Sequence, residues 1–163
     1  MKHILGPNSR STLTGVQDGD SQPNAVDLRV SKIYKIKQDD FVITNDHKKH
    51  RGSEELGTDG EGFYHLLPGH YEVIMENVIN VGEGEAGWVI TRSTLNRNGC
   101  FLTSGLYDSG YHGAMAGVLH VTIGPAYIKQ GTRIGQYLSF NAESLSSYDG
   151  DYGINKEHDK KYQ

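Results

Sequence analysis

Asp108 is the residue best placed to do chemistry. It sits in GLYDSGYHG (105–113), a run of glycines and tyrosines that contains no other carboxylate. A carboxylate is a competent general base at neutral pH, and Gly105, Gly110 and Gly113 would let main chain turn tightly and approach a ligand closely. The plainer reading is a tight hairpin in which Asp108 satisfies turn backbone. A second candidate is RSTLNRNG (92–99). Arg92 ahead of a short helix offers a planar fork for anionic oxygens, and Ser93 with the free N–H groups of the first turn adds donors. The plainer reading there is that Ser93 caps the helix and Arg92 pairs on the surface. Asp27, in PNAVDLRV (23–30), reads as an outward-facing acid whose alternative task is to hold a hydrated divalent ion. GTRIGQYLSF (131–140) completes the set.

The elements that position these residues are strands. Apolar and polar residues alternate loosely over 26–36, 71–80 and 117–123, the period of half-buried strands. Shorter apolar runs at 41–44, 87–91 and 137–140 add more, with turns at 66–71 and 83–87. No helical period lasts three turns, and 92–99 is the one short helix expected. Many short strands at close spacing predict an all-β barrel or sandwich. The polar stretch 45–62 reads as an exposed loop or hairpin tip, and 141–163, poor in aliphatic residues, reads as a tail that is mobile unless something orders it. The expected organisation is one β domain over 1–140 followed by that tail.

Several chemistries are excluded. With 16 basic against 20 acidic residues, the chain has no general affinity for nucleic acid or anionic membrane, so anion binding must be local. The single cysteine, Cys100, rules out an internal disulfide and a cysteine-cluster zinc site. The phosphate-loop, dinucleotide, HExxH and GxSxG patterns are absent. His47 and His50 are spaced to share a metal only on a helix, and they lie in charged loop. The expectation is a soluble intracellular protein.

PNAVDLR, RSTLNRNG, GLYDSGYHG and GTRIGQ, in this order across about 25 to 140, resemble the motifs of the dUTPase and dCTP deaminase superfamily, and YDGDYG (148–153) resembles the tail of archaeal-type dUTPases. The resemblance implies a distorted dUTPase-like β-barrel (a β-clip) forming a homotrimer with active sites at subunit contacts. It implies hydrolysis of dUTP, or another pyrimidine deoxynucleoside triphosphate, to a monophosphate and pyrophosphate. In that reading Asp108 activates the attacking water. Tyr111 packs under the deoxyribose, and Arg92, Ser93 and Gln136 hold phosphates with Thr94 and Arg97 beside them. Gly105 brings main chain to the base, Tyr148 and Tyr152 are the aromatic candidates in a closing tail, and Asp27 contacts Mg2+ through water.

Two chemistries belong to this superfamily. Its deaminases use a glutamate on the strand after the third motif, and here GAMAGVLHVTIG (113–124) holds no acid: ten residues on from Asp108 stands Val118. Hydrolysis is therefore the expected reaction, with a dCTP deaminase, a bifunctional enzyme, a hydrolase of a modified pyrimidine nucleotide, or a nucleotide-binding regulator as alternatives.

Overall fold

The computed structural model describes residues 1–162, with side chains to residue 160. In chain order it contains β1 (Thr12–Leu13), β2 (Val26–Ile36), β3 (Val42–Ile43), β4 (Lys48–Lys49), β5 (Ser53–Glu55), β6 (Phe63–Leu66), β7 (Gly69–Asn80), β8 (Glu85–Thr91), α1 (Ser93–Arg97), β9 (Cys100–Thr103), β10 (His112–Val121), β11 (Ala126–Lys129) and β12 (Arg133–Asn141). A 3-10 turn, His158–Tyr162, closes the described chain. The expected all-β architecture is present. The main sheet runs β8-β12-β2-β7-β10-β9, with β1 on β7 and β5 on β2. All its pairings are antiparallel.

The sheet curls until its two ends meet. No backbone ladder joins β8 to β9 among the described residues; a side-chain bond and an isolated backbone bridge close the seam instead. Thr91 Oγ1 accepts from Leu102 N–H at 2.7 Å, and beyond Ser104 the chain bridges Gly87 to Tyr107 with two backbone bonds of 2.8 and 2.9 Å. Inward residues of the long strands fill the interior: Leu28, Val30 and Ile33 from β2, Val73, Met75 and Ile79 from β7, Met115 and Leu119 from β10, and Ile134 from β12. Each such side chain contributes about 1.5–3 kcal/mol by leaving water. Alternation therefore fixes which side chains of β2, β7 and β10 point outward.

The segment 45–62 is mostly exposed, as expected, but not featureless. β3 and β4 form a hairpin, and β5 adds to the edge of β2. The tail is ordered. Tyr148 N–H donates to Ser109 O at 2.7 Å and Ile154 N–H to His112 O at 2.9 Å, which ties it to the glycine-rich segment. Gly153, at φ +116°, lies so close that a Cβ there would meet His112 O at 2.5 Å. No helix among the described residues is long and apolar enough to cross a membrane.

Candidate active site

The first of two clusters is built around Asp27. Alternation puts its side chain on the outer face of β2, as expected, yet it is fully buried, because the 17–22 loop and the ends of β8 and β12 cover that face. Asp27 Oδ1 accepts from Gln136 Nε2 at 2.9 Å. Oδ2 accepts from Gln22 Nε2 at 3.1 Å and pairs with Arg92 Nε at 3.2 Å and Arg133 Nη1 at 3.4 Å. The arginine side chains remain 29% and 34% exposed. One buried negative charge against two half-exposed positive ones leaves one net positive charge at the surface. Two part-exposed guanidiniums around one buried carboxylate can receive an anionic oxygen.

A neighbouring pair keeps the covering loop in place. Asp20 takes a two-bond fork from Arg29, Nη2 at 2.6 Å and Nε at 2.9 Å, and Gln17 N–H at 2.9 Å. Burial works to raise the Asp20 pKa, and the Arg29 and Gln17 bonds outweigh it and lower it.

The donor set leaves Asp27 no carboxylate oxygen free for direct ligation of a metal, which is a narrower finding than the expected contact through water. Both carboxylate oxygens are engaged, two of the four partners are cations, and magnesium gives up its own water reluctantly. Among the described residues no three His, Cys, Asp or Glu side chains are grouped to hold an ion.

The second cluster is the 105–113 segment. Tyr111 N–H donates to Asp108 O at 3.0 Å, and Gly110 turns at φ +87°, where a side chain would be strained. The turn is pinned to the loop after β7 by Gly110 N–H to Val81 O and Val81 N–H to Tyr111 O, both 2.9 Å. Asp108 is exposed at its tip. Tyr111 is buried, its hydroxyl donating to Ala114 O at 3.0 Å and its ring edge-on to Tyr107 and Tyr148, at 5.1 and 5.4 Å. Burial raises the pKa of the Tyr111 hydroxyl and pushes that of Tyr107 to about 12.

Beside this segment a cleft of about 700 Å³ opens where β9 and β10 part, beyond their last pair, Thr103 and Val118. Gly105, Tyr107 and Tyr111 line it, and Tyr148 and Tyr152 of the tail lie over it. The tail meets the β3–β4 hairpin above the cleft through Lys48 Nζ and Asp151 Oδ2 at 2.8 Å.

The expected residues thus fall into two groups. Asp27, Arg92 and Gln136 come together; Gly105, Tyr111, Tyr148 and Tyr152 come together around the cleft, with Asp108 at the tip of the adjoining turn. None of the first group lines the cleft. Ser93, Thr94 and Arg97 are exposed on α1. Ser93 does not cap that helix: the capping position is Arg92, in extended conformation and without a side-chain cap bond. Three participants were not singled out from the sequence. Arg133 stood in view in GTRIGQ. Tyr107 stood in view in GLYDSGYHG, whereas Glu72 carries no local signal and only the cross-strand register brings it to the cleft.

Comparison with known proteins decides the family. The model of dCTP deaminase-like domains matches residues 8–141. The chain belongs to the dCTP deaminase-like family. A relative from Halobacterium salinarum, a probable deoxyuridine 5'-triphosphate nucleotidohydrolase, is 31% identical over 143 residues, covering 84% of this chain and 85% of the relative. Among solved structures, the dCTP deaminase of Agrobacterium tumefaciens matches with a TM-score of 0.61 at 15% identity, over 80% of this chain and only 43% of the deaminase. The dUTPase of Staphylococcus bacteriophage 80alpha matches with a TM-score of 0.52 at 12% identity, over 89% and 90% of the two chains. At such identities the two likenesses establish a shared fold.

Proposed function

We propose that this protein hydrolyses a pyrimidine deoxynucleoside triphosphate, dUTP by family relationship, between the α and β phosphates. The observation that carries this reading is the Asp27 cluster, where a fully buried carboxylate holds Arg92 and Arg133 half-exposed beside Gln136, ready for phosphate oxygens. Phosphoryl transfer needs little from a protein beyond such neutralised charge, correct positioning and a base for water. Asp108 supplies the base. Its carboxylate takes a proton from water as the water oxygen bonds the α-phosphorus, the bond to the bridging oxygen breaks, and pyrophosphate leaves. Tyr111 forms the sugar platform, Ser93, Thr94 and Arg97 lie at the edge of the phosphate path, and Tyr148 and Tyr152 close the cleft. Magnesium would travel on the triphosphate oxygens; Asp27 is committed to its arginines, and no step is assigned to the metal.

The phosphate cluster and the cleft do not meet within one chain, so we assign the complete site to the contact between copies, in a homotrimer. Deamination is the weaker reading, because β10 carries no acid. The test is pyrophosphate release from dUTP by the wild type and by Asp108→Asn. Removing the base should lower turnover by about 100-fold or more, and full turnover by the variant would overturn the role of Asp108.

A further inference from the structure

Three strands carry a row of rings across their outer face, apart from the Asp27 cluster. His70 on β7, His120 on β10 and Phe101 on β9 are direct cross-strand partners, so the register sets their side chains side by side. Their neighbours Leu119 and Leu102 turn the other way, into the core. His70 Nδ1 and His120 Nδ1 lie 2.8 Å apart. The second ring nitrogen of His120, Nε2, lies 2.8 Å from Thr103 Oγ1. Phe101 stacks on the same ring, with centroids 4.6 Å apart and planes inclined by 17°. His120 is thus held from two sides, whereas His70 is exposed and able to adjust.

Two imidazole nitrogens that face each other hold one proton between them in the neutral pair. A divalent transition ion can take that proton's place. Metal–nitrogen bonds of about 2.0–2.1 Å, meeting at about 90–110°, set two ligand nitrogens about 2.8–3.4 Å apart. The pair therefore opens by at most about half an ångström to admit an ion, a movement the exposed His70 ring supplies. The displaced proton is made up at Nε2, where His70 meets water and His120 meets the Thr103 hydroxyl, so the neutral pair releases no net proton. An oxygen acceptor on the second ring nitrogen is the support a ligating histidine needs, since it fixes tautomer and ring orientation. Imidazole suits zinc, copper and nickel, whereas magnesium prefers oxygen. No third His, Cys, Asp or Glu is grouped with the pair among the described residues, so water completes the coordination.

We propose that His70 and His120 form a two-histidine site for a divalent transition ion of the zinc class, which clamps β7 to β10 beside the strand end where Thr103 borders the cleft. The ion's task is to hold strands together, and no chemical step is assigned to it. The inference stands independently of the hydrolase reading.

The experiment titrates zinc chloride into wild-type protein labelled in its histidine ring nitrogens and follows those nitrogens by NMR. Calorimetric binding and thermal unfolding are measured in parallel for the wild type and His70→Ala, with magnesium chloride as the control salt. Zinc should move the Nδ1 resonances of His70 and His120 together and leave both rings protonated at Nε2. At about five times its Kd, zinc should raise the wild-type Tm by about 2–4 °C. The same concentration of magnesium should not, and His70→Ala should lose the rise. The other histidines are common to both proteins, so the difference between them isolates this pair. The NMR titration uses the wild type alone and gives its reading even if the variant fails to fold. Equal zinc affinity in the wild type and His70→Ala would assign the metal to other groups and overturn the inference. Resonances unmoved at either ring in saturating zinc would overturn it as well.

Discussion

Mixing two inactive variants tests whether the site is shared between chains. Asp108→Asn keeps the shape of the turn at 105–113 and removes the base, costing about 10²–10⁴ in turnover. Arg92→Ala leaves Asp27 bonded to Gln136, Gln22 and Arg133 and removes one of the two guanidiniums. Loss of one charged fork costs about 1.5–3 kcal/mol, or roughly 10–100-fold. Each variant alone should therefore retain at most about a tenth of wild-type activity. If a site takes Asp108 from one chain and Arg92 from the next, random assortment at equal ratio leaves both groups intact in one half times one half of the sites. The unfractionated mixture should recover about one quarter of wild-type activity, and mixed trimers isolated from it about one third, because each holds one intact site in three. The assay is pyrophosphate release after co-refolding, with two affinity tags isolating mixed species. Mixed oligomers that work no faster than the average of their parents would refute a site built between copies.

Three further outcomes are expected. Burial works to raise the pKa of Glu85, but bonds from Lys2, Ser11 and the Arg10 N–H hold it down to about 2. A depressed acid adds stability that is complete above its unfolded pKa of about 4.3 and is lost as pH falls towards 2. Glu85→Gln should therefore cost about 3 kcal/mol at pH 7 in urea unfolding and flatten the acid limb, and an unchanged limb would refute the assignment. Asp27→Asn leaves Arg92 and Arg133 uncompensated, so it should lower stability by about 2 kcal/mol and respond more strongly than the wild type to added pyrophosphate in thermal unfolding. Tyr148→Ala removes the ring packed edge-on to Tyr111 and should raise KM about fivefold with little change in kcat; a collapse of kcat would place Tyr148 in the chemical step.

Local pattern made part of this molecule legible. Alternation located β2, β7 and part of β10 because each turns one face to a single core, a short apolar run marked the middle of β12, and RSTLNR with its glycine stop marked the one short α-helix. The same alternation misjudged the surroundings of Asp27. It says which face a side chain leaves from, not whether the 17–22 loop and a neighbouring strand will cover that face. For the tail, the sequence left order conditional on contacts it could not show. Its few aliphatic residues argued for mobility, whereas backbone bonds to Ser109 and His112, beside glycines without side chains, order it. Glu72 lay beyond any local pattern: it stands 46 residues before Val118 in the chain and opposite it in the sheet.

The covering of the cleft also constrains how a nucleotide enters. Among the described residues, its ties across 148–154 include two backbone bonds to the 105–113 segment, the edge-on packing of Tyr148 against Tyr111 and the Lys48–Asp151 pair, whose side chains are 45% and 64% exposed. An exposed ion pair adds little, and a segment with few buried apolar contacts opens at far lower cost than the barrel unfolds. The sheet beneath is tied by continuous ladders from β8 round to β9. Entry and release can thus proceed by lifting the tail while β7 and β10 keep Glu72 and Val118 in register. Fast hydrogen exchange at Tyr148 and Ile154 against slow exchange along β7 is the expected signature, and equal protection in both would show that cleft and barrel open as one unit.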